Sequence, residues 1–571
     1  MGVQKLLSNS DSAGALRDAC DHAGRRARAR RDRYLRAVLA VPLLSVFSAG
    51  FAQVASDIAA DGSLGSAISH SGNIFDVTGG TAAGGVNLFH SFARFTVGTG
   101  DVANFDGAAG IANIIARVTG GSLSIIDGTV SSSIAGASLY LINPAGLLFG
   151  PNAVISVDGS FHATTADFLG FVDGAHFFAD PTTASTLSAT PVASFGFLDT
   201  SPGRIDIQTP TVSDPTSPRF GTPGIATGGS LSIVGGQIVL GAPDGSAPAY
   251  LLAAGGNVRI VSIADAGEAI VGEAGDIDVN GFQSLGRTLI QGNSLVDGQN
   301  IVVRGGEVEI ADATILPGAF SVFGLAPPPD GGRVDIEATE SLSISGTAPD
   351  PVFGAPAGVL VFAGLETSAP FARVPDTRLA APAITLSGVS GVTANRFLGG
   401  PGGIVSIVAD RLSVAGGASV SLVNAFAGDG GLLRVIAREI VLDGTGSDGF
   451  TGFAAQSVFN PAYLTSAIDP ELTFAGSGAI EVTATDVSLL GGAEITTDSR
   501  SFGPSGGISL TVANLKLNAS RVLAQSSFVG DSGDVTVTAS GEINLTNGGL
   551  ISAATLGGGR GGAVRITAGQ S

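Results

Sequence analysis

The stretch GDVTVTASGEINLTNGGLISAATLGGGRG, Gly533–Gly561, holds three short alternating runs separated by Gly, Ser and Asn turns. Alternation sets Val535, Val537, Ile543 and Leu545 on one face and Thr536, Thr538 and Asn544 on the other, the period of a half-buried strand. The unit recurs. Its opening pattern appears as GSLSIVG from Gly229, GNVRIVS from Gly256, GDIDVNG from Gly275 and GRVDIEA from Gly332. It returns as GIVSIVA from Gly403, GLLRVIA from Gly431, GAIEVTA from Gly478, GGISLTV from Gly506 and GAVRITA from Gly562. From Gly403 the intervals are 28, 47, 28, 27 and 29 residues, the long one accommodating an insertion near 449–474.

Three strands at a fixed period make one coil of a parallel β-helix, which buries its apolar face only by stacking on the next coil. A four-stranded propeller blade needs roughly 40–50 residues, so the observed spacing is too short for it. Helix signals are nearly absent after residue 53, where Lys516 is the sole lysine and Gly or Pro interrupts almost every helix-length window. The predicted fold class is therefore all-β, a right-handed parallel β-helix (solenoid). At roughly 25 residues per coil and about 4.8 Å between coils, its length is on the order of 100 Å. The last unit stops at Gln570-Ser571, just after its first strand. That reads as a truncated or split chain, since a solenoid normally ends in a polar cap.

Composition narrows the class further. The chain has 86 Gly in 571 residues, 44% hydrophobic and only 13% charged residues, which fits many short strands and tight turns and neither disorder nor a basic nucleic-acid binder. Residues 1–52 differ. The basic run RRARARRDRYLR (Arg25–Arg36) precedes the apolar AVLAVPLLSVFSA (Ala37–Ala49), as in a secretory signal peptide with a long n-region, cleaved near Ala52. The apolar run is too short to span a bilayer comfortably and contains Pro42. Nine of the 28 basic and four of the 48 acidic residues lie in this segment, so the remainder carries 19 against 44, a net of −25. Such a balance argues against DNA and anionic membrane surfaces as partners. The single cysteine, Cys20, also lies in the leader, so an exported chain without it cannot be locked by a disulfide in the periplasm.

A second stretch is less generic: LYLINPAGLLFGPNAVISVDGSFHATTADFL, Leu139–Leu169. Asn143-Pro144-Ala145-Gly146 matches a type I turn, with Asn at i, Pro at i+1 and Gly at i+3. It follows NLFHSFARFTVGTGDVANFDG (Asn87–Gly107) and IANIIARVTGGSLSIIDGTV (Ile111–Val130) and precedes SFGFL (Ser194–Leu198). In that order these motifs closely resemble the N-terminal secretion (haemagglutination activity) domain of the filamentous haemagglutinin family of exoproteins. The likeness continues into LSIVGGQIVLG and LAAGGNVRIVSIADAGE, over roughly residues 54–270. The family motif reads Asn-Pro-Asn-Gly; Ala145 stands third here, and a type I turn tolerates it.

The resemblance implies two-partner secretion in a Gram-negative bacterium. The chain would cross the inner membrane by the general secretory machinery, and a dedicated outer-membrane β-barrel transporter would recognise its N-terminal domain and thread it out. Asn143, Pro144, Ala145 and Gly146 form the secretion motif on this reading. The expected organisation is a leader over 1–52, a secretion domain over 53–200 that begins the β-helix, and a repeat shaft over 201–571. The expected product is a secreted or surface-held adhesin that meets an unidentified host or cell-surface ligand. A haemolysin or contact-dependent toxin stalk is the alternative, and a carbohydrate-active β-helix enzyme a weaker one.

No catalytic, cofactor or metal site is expected. His70, His90, His162 and His176 show no ligand-like spacing and read as turn or surface residues. GPSGG (Gly503–Gly507) matches a nucleophile elbow, and GGGRGG (Gly557–Gly562) a dinucleotide fingerprint. Each leads into a strand rather than a helix and reads as a repeat turn. Asp276/Asp278 and Asp335/Glu337 are spaced like surface carboxylate pairs of polysaccharide-cleaving β-helices, but strand alternation already accounts for them as solvated faces.

Overall fold

The computed structural model describes residues 54–208, 224–225, 228–242, 248–318, 331–349, 356–363, 373–396, 400–425, 428–458 and 475–569. The proposed leader and Ala52 lie outside them. Apart from one 3₁₀ turn, Glu273–Gly275, every regular element among the described residues is a strand.

Each coil of the shaft has three sides. Ile404–Ala415 carries two of them in one strand. Ile404–Ala409 and Arg411–Ala415 pair with the next coil, and Asp410 marks the corner between them. Ser419–Asn424 is the third side. The three alternating runs read from the repeat are thus present, the first two fused in this coil and separate in the quoted unit, as Val535–Ala539 and Ile543–Thr546. Fifteen strands stack in parallel along the first side, from Asn87–Thr96 through Asn113–Val118, Ser138–Ile142 and Phe161–Thr164 to Val535–Ala539 and Val564–Ala568. Fourteen steps of about 4.8 Å give a column of roughly 65 Å, shorter than the coil count predicts. Much of the chain leaves the ladder to cover its side, as described below.

In-register pairing places one inward residue above another. Leu379, Ile407, Val435, Val482, Leu510 and Val537 form one such file, every member fully or almost fully buried. The last described coil has a neighbour on one side only, and there Leu545, Leu550 and Ile566 are 42%, 45% and 50% exposed. The glycines that open successive units answer to crowding. A Cβ on Gly478, Gly506, Gly533 or Gly562 would run into the carbonyl oxygen of Gly430, Gly478, Gly506 or Gly533, respectively, on the preceding coil.

Gly452–Val458, placed by the spacing inside an insertion, is instead a ladder strand, parallel to Ser419–Asn424 and to Glu494–Arg500. Part of the extra length is a longer corner, 444–451 where the next coil has 491–493. The rest, 459–474, lies outside the described residues. Ala519 holds a left-handed φ of 53° at the corner where Gly491 and Asn547 hold 57° and 50° on the adjacent coils. Ala519→Gly is expected to raise stability by roughly 0.5–1 kcal/mol, the left-handed penalty less glycine's entropy. A lowered denaturant midpoint would contradict it.

The N-terminal edge is closed. Asp57–Ala60 and Thr81–Ala83 pair antiparallel with Asn87–Thr96, and the hairpin Ser66–Ser71/Ile74–Gly79 lies against Val102–Phe105. These strands occupy the donors and acceptors that an open edge offers to another chain. A second sheet, antiparallel, covers the outer side of the first coils: Phe168–Phe171, His176–Phe178, Val192–Phe197, Gly267–Val271 and Ile277–Asp278. Its Leu169, Phe177, Phe195 and Phe197 pack on Phe89, Ile115, Ile142, Val234 and Val261 of the column. The first coils are therefore buried on both faces. No break falls at residue 200: Ile205–Ile207 continues the ladder between Leu147–Phe149 and Ile238–Leu240, and the covering sheet runs to Asp278.

Candidate functional site

Asn143 is the pivot of the Asn-Pro-Ala-Gly corner, which turns the chain from Ser138–Ile142 into Leu147–Phe149. Gly146 N–H donates to the Asn143 carbonyl at 2.9 Å, closing the turn. The fully buried Asn143 side chain accepts from Ala145 N–H at 3.0 Å and donates to the Ser122 carbonyl and Ser124 Oγ, both at 2.9 Å. Three bonds to two neighbouring segments make it a joint between coils. Gly146 takes φ 114°, and a Cβ at Gly203 would strike the Pro144 carbonyl, so the corner is packed from behind. Ala145 spends only its backbone on the turn; its side chain is exposed. The Asn-to-Ala departure from the family motif thus falls where a side chain holds nothing.

The covering sheet is anchored next to this corner by Arg117, which is 4% exposed. Its guanidinium donates to Ser91 Oγ at 2.8 Å, the Phe178 carbonyl at 2.7 Å and Ser63 Oγ at 3.1 Å, and sits 4.9 Å over the Phe177 ring. Burial lowers its pKa, while Asp61 and Asp180 oppose the shift. Asp61 accepts from Ser91 Oγ at 2.5 Å and Thr119 Oγ1 at 3.2 Å, so one polar seam ties the N-terminal strands, the column and the covering sheet. No residue spacing marks Arg117 beforehand; only a basic residue inside the apolar run NIIARV hinted at it.

Two histidines depart from expectation. His90 points inward in the first full rung, completely buried against Phe92 and Phe105, with Nδ1 3.1 Å from Ser66 Oγ and Nε2 without a partner. His162 is buried beneath the covering sheet, stacked on Tyr140 at 4.2 Å with Nδ1 3.0 Å from Ser232 Oγ. Neither is a turn or surface residue: His90 fills a core position, and the covering sheet buries an outward one.

The carboxylate pairs are also rearranged. Asp278 stays exposed, but Asp335 is buried and receives Arg304 at 2.8 Å and Arg378 at 3.0 Å. Burial alone would raise the Asp335 pKa; Arg304 and Arg378 outweigh it and hold it low. Asp276 lies 3.1 Å from Arg333 and 3.5 Å from Arg304, and Glu337 lies 2.8 Å from Arg378. Three of the four carboxylates thus serve ion pairs, Asp335 and Glu337 between coils and Asp276 from the covering segment to the column. GPSGG and GGGRGG lie between strands of the ladder, where Ser505 Oγ accepts Gly533 N–H at 2.8 Å and Arg560 N–H meets Asp531 at 2.7 Å. Among the described residues, no group of three or more His, Cys, Asp or Glu is placed to hold a metal ion.

An all-β column with a sealed first edge and a covered flank, carrying the Asn-Pro-Ala-Gly corner between two of its strands, defines a parallel β-solenoid module. Residues 56–310 match the TPS secretion domain family, and this segment is a two-partner secretion domain; it extends well past the boundary expected at 200. A chain that carries one is an exported protein with a partner transporter. Among solved structures, the secretion domain of HMW1 from Haemophilus influenzae is similar, at 12% identity and a TM-score of 0.40, over 90% of this chain and all of that one. No curated protein matches the sequence.

Proposed function

We propose that the chain is an adhesin-like exoprotein whose N-terminal coils are recognised by an outer-membrane β-barrel transporter and then template the β-helix outside the cell. The sealed edge at Asp57–Ala60 and Thr81–Ala83 carries this reading. It leaves the ladder one direction in which to grow, toward later-emerging residues. Each added rung buries apolar area worth about 25 cal/mol per Å², which biases the chain outward without an energy source at that membrane. The basic and apolar runs Arg25–Arg36 and Ala37–Ala49 support entry by the general secretory route, with cleavage near Ala52. The repeat shaft presents the surface that meets a host or cell-surface ligand.

Deleting residues 54–200 tests the export role. The remainder is expected to accumulate in the periplasm; normal appearance in the medium would refute the assignment. During export of the intact chain, protease protection should spread from the N-terminal coils onward. Protection gained all at once after release would count against templated growth.

A further inference from the structure

Over two coils the first side of the shaft turns bulky aliphatic residues outward. Ile404, Val408 and Ile436 are 37%, 39% and 44% exposed, and Leu432, stacked on Ile404, is half-buried. Such a patch on an otherwise wet face marks a contact surface. The next two coils place small or hydroxyl residues in the same columns. Ala479 follows Leu432, Thr483 follows Ile436, and Thr511 follows Thr483. Gly507, just before the Ile480–Ile508 pair, continues the column of Ala479. Between these two columns runs a third, Ser406, Arg434, Glu481 and Ser509, in which Arg434 meets Glu481 at 3.0 Å with both side chains about half exposed. Bulky half and small half, cation and anion, are thus mirrored about a line midway between the Arg434 and Glu481 rungs.

We propose that this face pairs with the same face of a second copy of the chain, the two shafts lying side by side and antiparallel. A two-fold axis along that line makes the surface complementary to itself. Leu432 then faces Ala479 of the other copy, Ile404 faces Gly507, Ile436 faces Thr483 and Val408 faces Thr511, so large side chains seat on small ones. Each Arg434 gains a second Glu481, and across these four rungs no like charges oppose. Face-packed sheets lie about 10 Å apart. The contact is small, roughly 300–500 Å² per copy against about 800 Å² in a stable complex, so it joins shafts only where they are crowded. The proposal stands apart from the export role, since the coils concerned lie outside residues 54–200.

The test uses the mature chain, which has no cysteine once residues 1–52 are removed. Val408→Cys and Thr511→Cys are made singly at these exposed positions and mixed at high protein concentration with a short bismaleimide. The mixture is expected to yield a covalent dimer, and either variant alone little of it, because Val408 lies three rungs from its counterpart in the other copy. Glu481→Arg, added to both variants, sets arginine against arginine and should lower the yield at least fivefold, with circular dichroism unchanged. Arg434→Glu/Glu481→Arg reverses both charges and should restore it. Efficient dimer formation by Val408→Cys alone would mean shafts paired in parallel and would overturn the proposal. So would a yield indifferent to Glu481→Arg. Absence of dimer, with both thiols open to a monofunctional maleimide, would leave the face to a different occupant and equally overturn it.

Discussion

Asn143→Ala is expected to destabilise the N-terminal coils by about 3 kcal/mol, from three lost hydrogen bonds at about 1 kcal/mol each. The bonds join different segments: Ser122 and Ser124 belong to the coil before the turn, Ala145 to the turn itself. Truncation also strips Ser124 Oγ, itself 1% exposed, of this donor. Denaturant unfolding of the purified chain should show the loss, and hydrogen exchange should place it around 122–149. Ala145→Asn, restoring the common family residue at an exposed position, should move stability by less than about 0.5 kcal/mol. Similar effects from the two substitutions would mean that Asn143 is not the joint.

Acid should loosen the same end of the molecule. Burial pushes the His90 pKa down to about 4, and burial assisted by Arg259 pushes His162 down to about 3, from an ordinary 6.5. In the unfolded chain both bind protons below about pH 6.5; in the folded chain they stay neutral until much lower pH. The unfolded state therefore holds more protons across pH 6.5 to 4, and folding stability falls as pH drops through that window. His90 alone accounts for about 3 kcal/mol. Stability is fully present above pH 6.5, and the shortfall is complete once the folded pKa is passed. Urea midpoints measured from pH 7 to 4 should decline, and His90→Leu should flatten part of that slope. An identical decline in the variant would remove His90 from the account.

The shaft was legible because its outer faces are wet. In VTVTA the alternation of Val535 and Val537 with Thr536 and Thr538 maps onto inward and outward columns. The first coils hid more. NIIARV, LYLI and LSIVG read as near-continuous apolar runs because the covering sheet buries their outward positions, as happens wherever a parallel strand has both faces packed. Here lies the reason for so dense a hydrophobic context around the Asn-Pro-Ala-Gly turn. The turn itself was readable from local chemistry, but the strands that cover its coils were not, since Phe168–Phe171, His176–Phe178 and Val192–Phe197 belong to no repeat. The inward place of His90 escapes the sequence for a related reason: spacing rules ask whether a histidine has ligand partners, not whether it fills a hydrophobic site. Asp335 resembled a solvated residue until Arg304 and Arg378, 31 residues before and 43 after it, arrived by stacking.

The crowding at Gly478, Gly506, Gly533 and Gly562 governs how such a protein can vary over generations. A methyl group at any of these corners pries apart two storeys at once, whereas a change at Thr511 or Thr538 only repaints an outer wall. Mutational freedom is thus confined to the flanks, and a lineage can acquire new tastes in what it touches while the masonry stays fixed.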